Sequence, residues 1–138
     1  MKISTKGRYA LRLMLDIAIN GENSSVTIKD ISARQDISEK YLERIVGSLV
    51  KNGLLSGQRG AQGGYKLVKN PSEYTVGSIL AVTENSVAPI ACFGNDLDGC
   101  NRCDSCVTEH FWKGLDKIVN DYLNGTTLQD LIDKTCKK

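Results

Sequence analysis

Four of the chain's five cysteines lie within residues 91–112, and they are the side chains best suited to bind a metal. Cys92, Cys100, Cys103 and Cys106 are separated by Asn, Asp, Gly and Ser, which favour turns and allow thiolates to converge. The last three follow a CxxCxxC spacing, which places three soft ligands on one tight loop. Such ligands suit zinc or an iron–sulfur cluster. The segment therefore predicts a metal site and leaves the metal open.

The chain that positions this segment has the length of one ordinary domain, or of a small domain with an appended arm. Of its 138 residues, 41% are hydrophobic and 25% are charged, which is enough to bury a core. Near the N-terminus, Arg12 and Asp16 interrupt the apolar residues, so we expect neither a signal peptide nor a membrane span. This favours a cytoplasmic location, where clustered cysteines act as ligands or redox groups more often than as disulfides.

Charge is distributed unevenly along the chain. Residues 1–70 contain 12 Lys or Arg against 6 Asp or Glu, a formal +6, and the remainder contains 6 against 10, a formal −4, in agreement with the overall +2. A basic half that binds a polyanion, joined to an acidic half that senses or pairs, would show this pattern. Uneven surface solvation is the alternative explanation.

Capping residues and helical periodicity predict three helices in the basic half. They cover about residues 5–20, 27–35 and 38–52, begin at Ser4, Thr27 and Ser38, and stop at Gly21 and Gly53 in the first and third cases. The second and third form a predicted helix-turn-helix at about residues 27–53, followed by a glycine-rich hairpin, the wing, at about 54–69. Together with the +6 charge, this favours DNA binding over the alternative of a small α+β core domain.

The third helix is predicted to lie in the major groove, with its N-terminal residues nearest the base edges. Lys40 and Arg44 can reach phosphate or guanine. Glu43 either accepts a hydrogen bond from a cytosine amine or pairs with Lys40 on a solvated face. Arg59 of the wing could enter the minor groove. The predicted DNA-binding set is Lys6, Tyr9, Arg12, Ser38, Lys40, Tyr41, Glu43, Arg44, Arg59, Gly60, Gly63 and Gly64.

The second half is predicted to contain three further helices. Thr75 caps one over about residues 76–83, Asp104 or Ser105 caps a long one that ends at Gly125, and Thr127 opens the last. The apolar stripe of the long helix consists of Phe111, Leu115, Ile118, Val119 and Leu123. Such a helix after a DNA-binding module favours pairing with a second copy of the chain in a homodimer, although it could pack only on its own core.

These predictions divide the chain into three parts. Residues 1–83 form a winged helix-turn-helix domain, residues 84–104 form a cysteine-rich cluster-binding loop, and residues 105–138 hold the dimerisation helix and a C-terminal helix. We predict that the protein is not an enzyme and identify no small-molecule substrate. The wing sequence GAQGG lacks the GK[ST] of a phosphate-binding loop, and His110 is the only histidine available for catalysis.

The motifs MKISTKGRYALRLMLDIA, ISEKYLERIVGSLVKNGLLSGQRGAQGGYKL and TLQDLI resemble those of the Rrf-two family of bacterial transcription regulators, over nearly the whole chain. The resemblance implies a mainly α fold with a small β-hairpin wing, a long dimerisation helix, and a cluster that tunes promoter choice. It assigns Tyr41 and Glu43 to the major groove and Arg59 to the minor groove. The family's iron–sulfur regulators have a serine where this chain has Lys40, so the preferred operator is expected to differ.

The same resemblance places the cluster ligands at Cys92, Cys100 and Cys106. Glu109 replaces the family's histidine ligand, and His110 lies one residue later, about 100° further round a helix. A two-iron, two-sulfur cluster, which we favour, would be completed by Cys103, His110 or Glu109. All four cysteines could instead hold a four-iron, four-sulfur cluster or zinc. Cys136, near the chain end, is expected to be mobile rather than to bind metal.

The sequence thus predicts a dimeric DNA-binding transcription regulator, a repressor or an activator, of iron–sulfur cluster or sulfur metabolism genes. An iron–sulfur cluster would modulate its promoter binding. The alternative is a transcription regulator whose cysteines sense thiols or nitric oxide, or bind a structural zinc ion. A small iron–sulfur redox protein is the alternative from another class.

Overall fold

A computed structural model describes residues 1–93 and 102–135, and these residues form six α-helices and one antiparallel β-hairpin. In chain order the elements are α1 Thr5–Asn20, α2 Ile28–Gln35, α3 Glu39–Lys51, β1 Leu55–Gln58, β2 Gly64–Leu67, α4 Val76–Thr83, α5 Glu109–Gly125 and α6 Leu128–Thr135. The predicted fold class, mainly α with a hairpin wing after the third helix, is confirmed.

Most of these helices have a hydroxyl side chain as their N-cap, as the sequence predicts. The side chains of Ser4, Thr27, Ser38 and Thr75 each accept a hydrogen bond from the backbone N–H three residues later. At α6 the bonding is reciprocal, because Asp130 donates its N–H to Thr127 Oγ1 at 3.1 Å and its carboxylate accepts the Thr127 N–H at 2.8 Å. The Thr127 N–H and then the Thr127 hydroxyl, which both donate to the carboxylate, lower the pKa of the Asp130 carboxyl.

The start of the long helix differs from the prediction. We expected a cap at Asp104 or Ser105, but α5 begins at Glu109 after Thr108. Residues Cys103–Ser105 form a separate 3-10 turn, and Cys106 then has an extended backbone with ψ 111°. An extended residue cannot continue the helical hydrogen-bond ladder, so the helix starts about one turn later. Its predicted end at Gly125 is confirmed.

One apolar core joins the first three helices to the last one. Its most enclosed large side chains include Leu13 and Met14 of α1, Ile31 of α2, and Leu42, Ile45 and Leu49 of α3. Leu128 of α6 is 0% exposed in the same core. The chain returns there through two hydrogen bonds, from the Val76 N–H to the Thr126 carbonyl at 2.9 Å and from the Leu128 N–H to the Tyr74 carbonyl at 3.0 Å. Although the sequence groups α6 with the predicted dimerisation helix, α6 packs on α1 and on the core of the first three helices; the three-part division itself stays a prediction.

The wing is attached to the loop between α1 and α2. Its strands pair from Leu55 with Leu67 to Gln58 with Gly64. Tyr65 then exchanges two backbone hydrogen bonds with Val26, at 2.8 and 3.0 Å. Gly64 has φ +147°, and a Cβ there would lie 2.7 Å from the Val26 carbonyl oxygen. Only glycine fits this close approach, so Gly64 allows the wing to dock on the helices.

The base of the wing is held by Tyr74, which is 4% exposed. Its hydroxyl donates to the Leu54 carbonyl, just before β1, and accepts the N–H groups of Val68 and Lys69, just after β2; all three distances are 2.9 Å. One side chain therefore joins both ends of the hairpin.

Within residues 1–93 and 102–135, we find no helix that combines the length and the hydropathy needed to span a membrane.

Candidate nucleic-acid interface and cysteine segment

The beginning of α3 presents a polar edge to solvent. Lys40, Glu43 and Arg44 are exposed there, and Ser38 is exposed while it caps the helix. The opposite face, with Leu42 and Ile45 among its members, is buried in the core. This division follows from the spacing of the apolar residues, which places them on one side of a helix. The helix can therefore offer its N-terminal side chains to a ligand without disturbing the core.

An open groove separates α3 from the wing. Glu43, Gly47 and Lys51 of α3 line one side, and Arg59 and Tyr65 of the wing line the other. The structure thus brings Glu43 and Arg59, 16 positions apart in the sequence, to the same groove. At the wing tip, Gly63 donates its N–H to the Gly60 carbonyl at 2.9 Å, which closes the turn that carries Arg59. A helix edge beside a cationic hairpin is suited to contact two neighbouring grooves of a duplex.

Three of the predicted DNA-binding residues belong to α1 and have different environments. Lys6 and Tyr9 are half-buried, and Arg12 is exposed. The Tyr9 ring meets the Tyr41 ring of α3 edge-to-face, with centroids 5.5 Å apart and an interplanar angle of 83°. The Arg12 guanidinium lies 5.4 Å from the Tyr9 ring centroid and also hydrogen-bonds Gln35. The guanidinium of Arg12 is therefore exposed but already makes contacts with other residues of the protein.

A buried carboxylate supports the turn between α2 and α3. Asp16 of α1 is 3% exposed and accepts the Arg34 guanidinium, with Nη2 at 2.7 Å and Nε at 3.1 Å, and the Gln35 amide at 2.9 Å. The hydrogen bond to Asp16 raises the pKa of Arg34 above its ordinary value. Sequence reasoning missed this network. A lone Asp in the apolar stretch of α1 was the available signal, because a buried acid requires a partner.

The start of α1 is joined to the segment that leads to the cysteines. Glu84, just after α4, accepts hydrogen bonds from the backbone N–H and the hydroxyl of Ser4. Its carboxylate passes so close to Gly7 that a Cβ there would collide with it. The Met1 ammonium donates to the Pro89 carbonyl at 3.0 Å. The glycine of the KGRYAL motif thus makes room for Glu84, and a carboxylate at a helix N-terminus is also favoured by the helix dipole.

The cysteine segment is described only in part. Cys92 is exposed in a 3-10 turn, Ala91–Phe93, and Cys106 is half-buried. Cys103 lies in the turn before Cys106, whereas Cys100 and Cys136 fall outside the described residues. Among the side chains that the structure describes, no three His, Cys, Asp or Glu residues are gathered as a metal site. The two described thiols do have the chemistry that zinc and iron–sulfur clusters require.

Local contacts distinguish the candidate ligands. The Cys106 Sγ lies 3.4 Å from the Thr108 hydroxyl, and this hydrogen bond is the main cause that lowers the pKa of the Cys106 thiol. A lowered pKa favours the thiolate, which is the form that binds metals. The Glu109 carboxylate pairs with Lys113 at 2.8 Å, one helical turn away, and His110 is exposed. One carboxylate oxygen of Glu109, Oε1, is therefore already engaged in an ion pair.

Helix α5 carries an apolar face that is not covered by the described residues. Phe111, Ile118 and Tyr122 are 62%, 67% and 69% exposed, and Val107, just before the helix, is 98% exposed. Leu115, Val119 and Leu123 of the predicted stripe are half-buried instead. The stripe therefore divides into a part turned toward the protein and a part turned toward solvent, and the second part is the kind of surface that marks a protein interface.

Comparisons with known proteins agree in sequence and in fold. The Rrf2 family model, described as an iron-dependent transcriptional regulator, matches residues 3–134. The chain is 40% identical over 133 residues to the HTH-type transcriptional regulator IscR of Pectobacterium carotovorum subsp. carotovorum strain PC1, covering 96% of this chain and 80% of that protein. It is 41% identical to IscR of Klebsiella pneumoniae strain 342, with the same coverage.

Solved structures give the same result. The chain resembles CymR, the global cysteine regulator of B. subtilis, with a TM-score of 0.80 and 34% identity, covering 97% of this chain and 98% of that one. It resembles IscR of T. potens with a TM-score of 0.78 and 34% identity, covering 98% and 88%.

Proposed function

Because this chain belongs to the Rrf2 family and is a DNA-binding transcription regulator of that type, not an enzyme, we propose that it reads its operator with α3 and the wing. We further propose that it acts as a homodimer and that an iron–sulfur cluster on the cysteine segment changes its operator preference. The observation that carries the proposal is the groove that Glu43 of α3 and Arg59 of the wing share.

The proposed reading assigns a role to each predicted residue of this interface. Tyr41, Glu43, Lys40 and Arg44 face the major groove from the first turns of α3, where Glu43 accepts from a cytosine amine and the cations contact guanine or phosphate. Arg59 enters the minor groove from the wing. Ser38, Gly60, Gly63 and Gly64 hold the shape of these two elements, and Lys6 and Tyr9 flank them on α1.

The exposed face of α5 supports the homodimer. Phe111, Ile118 and Tyr122 would become buried if two α5 helices paired. A symmetric pair would present two α3 helices at once, which suits half-sites about one helical turn apart. The distance between the two α3 helices would then depend on the position of α5.

For the cluster, we propose Cys92, Cys100 and Cys106 as ligands, with Cys103, His110 or Glu109 in the fourth position. A bound cluster would supply a site whose occupancy and charge depend on iron, sulfide and redox conditions. Two features of this chain could relay such a change. Glu84 and Pro89 hold the start of α1 near the cysteine segment, and Cys106 lies three residues before the first residue of α5. Ordering of this segment by metal would therefore move both the dimer helix and the DNA-binding module.

The DNA-binding role is tested with Arg59→Ala. We expect the affinity for a duplex selected by the wild-type protein from a random pool to fall about tenfold, and the slope of log affinity against log salt to fall by about one. Arg59 is exposed on the wing and lines the α3 groove, whereas the exposed cation Lys69 lines a different groove, beside α6. Lys69→Ala is therefore the matched control, and equal losses in the two variants would contradict the proposed interface.

The cluster is tested by anaerobic purification with iron and sulfide analysis, absorption and electron paramagnetic resonance. We expect about two iron and two sulfide per chain, lost in Cys92→Ser and Cys106→Ser but kept in Cys136→Ser. We also expect the holo and apo forms to prefer different duplexes. Identical affinity and sequence preference in the holo and apo forms would contradict the proposal that the cluster changes operator preference.

A second candidate is a regulator of sulfur metabolism whose cysteines sense thiols or bind zinc. The likeness to CymR, which is called the global cysteine regulator of B. subtilis, supports it. A colourless anaerobic protein with stoichiometric zinc would favour this candidate over the cluster.

A further inference from the structure

We propose that Arg12 is a positioning residue that sets the orientation of Tyr41 and thereby the base preference of α3, and that it does not anchor a DNA phosphate. This inference rests on the proposed reading role of α3. Arg12 is an exposed cation of α1, and charge and exposure alone would assign it to the DNA backbone.

The contacts of Arg12 are made within the protein and join α1 to the end of α2. Its Nε donates to the Gln35 side-chain oxygen at 3.2 Å, and its Nη2 donates to the Gln35 backbone carbonyl. Gln35 is the last residue of α2, so the guanidinium satisfies a carbonyl that the helix leaves open. A cation is also favoured at this negative end of the helix dipole.

Gln35 is itself fixed, which makes it a firm support for Arg12. Its side-chain amide donates to Asp16 at 2.9 Å, and Asp16 is buried and bound to Arg34. The guanidinium thus attaches to a network that continues into the core. Moving Arg12 toward a phosphate would break its hydrogen bonds to Gln35 and uncover the end of α2.

The Tyr9 ring contacts both Arg12 and Tyr41. The guanidinium lies 5.4 Å from the Tyr9 centroid, within the range of a cation–π contact. Tyr9 meets Tyr41 edge-to-face, with centroids 5.5 Å apart. Tyr41 belongs to the first turn of α3 and is half-buried against the core, so Tyr9 limits the orientations that its ring can adopt. With Arg12 removed, Tyr9 loses its support and Tyr41 gains rotational freedom.

The test compares two affinities measured on the same preparation of full-length protein. One probe is a duplex selected by the wild-type protein from a random pool, and the other is a scrambled duplex of equal length, both measured over a series of KCl concentrations. The ratio of the two affinities does not depend on the fraction of active protein, so a partly unfolded variant still gives a valid result. The variants are Arg12→Gln, Arg12→Lys and Tyr9→Leu.

We expect all three variants to lower the ratio of selected to scrambled affinity about tenfold and to leave the salt slope unchanged. We expect Arg12→Lys to lower this ratio as much as Arg12→Gln does, because lysine keeps the charge but lacks the planar guanidinium that binds Gln35. Tyr9→Leu removes no charge, and combining it with Arg12→Gln should lower the ratio little further, because both act on Tyr41.

The opposite pattern would overturn the inference. If Arg12→Gln weakens both duplexes equally and lowers the salt slope by about 0.9 for each phosphate lost, and Arg12→Lys restores binding, Arg12 is a phosphate anchor. An unchanged ratio in all variants would also refute the positioning role. If the wild-type protein enriches no sequence from the pool, the proposed reading by α3 fails as well, a result distinct from failure of the variants.

Discussion

Replacing Tyr74 by Phe should destabilise the protein by about 3 kcal/mol and loosen the wing. The substitution keeps the buried ring but deletes the hydroxyl that serves Leu54, Val68 and Lys69. Two N–H groups and one carbonyl would lose a partner, and each such loss costs about 1–3 kcal/mol when water cannot replace it. Because these three hydrogen bonds are only partly buried, water can replace some of them, and the total stays at the lower end of the sum.

Urea unfolding at fixed protein concentration measures this loss. Ser24→Ala is the control, because it removes a hydroxyl from an exposed side chain in the loop between α1 and α2 and should change stability by less than about 0.5 kcal/mol. We also expect Tyr74→Phe to weaken binding to the selected duplex, since the wing carries Arg59. If Tyr74→Phe and Ser24→Ala unfold at the same urea concentration, Tyr74 does not hold the wing.

Replacing Asp16 by Asn should cost about 2 kcal/mol. The carboxylate is nearly inaccessible, with a side-chain exposure of 1%, and it accepts from Arg34 and Gln35. An asparagine of the same size turns one acceptor into a donor that faces other donors. The cost stays below that of breaking a fully buried ion pair, because the Arg34 side chain is 39% exposed and water can solvate it.

The control for this substitution is Asp133→Asn on α6. Asp133 is exposed and accepts the Gln129 side-chain amide at 2.9 Å, so the same chemical change is made where water replaces the lost acceptor. We expect less than about 0.5 kcal/mol there. Both variants are compared by denaturant unfolding at low and high salt. A loss at Asp16 that disappears in high salt would contradict burial of the pair, because salt screens exposed charges far more than buried ones.

The helices could be predicted from the sequence because their signals are local. Ser4, Thr27, Ser38 and Thr75 each bond a backbone N–H only three residues away, and Thr127 and Asp130 do so reciprocally. The wing was predictable for a similar reason, since glycines at its turn are needed within a few residues of both strands. The start of α5 was not, because the short turn Cys103–Ser105 interrupts a pattern that otherwise reads as one continuous helix.

The candidate interface was predictable as a set of residues but not as an arrangement. Helical spacing places Lys40, Tyr41 and Glu43 at the beginning of α3, and the wing motif supplies Arg59. The sequence treats Arg12 like the other exposed cations, whereas the structure shows its guanidinium bonded to Gln35, 23 residues away. A cation's partner depends on which helices pack together, and spacing along one helix carries no information about that.

The sequence by itself determined the family, the order of the helices, the wing and the group of cysteines, because motifs and caps are properties of neighbouring residues. Tertiary structure alone decided that Glu84 covers the start of α1, that Tyr74 ties the base of the wing, and that Leu128 brings α6 back into the first core. These contacts join residues that are far apart in the sequence, such as Ser4 and Glu84, which are 80 positions apart. They form only when the helices are packed, and the Glu84 contact also joins the start of α1 to the segment that leads to the cysteines.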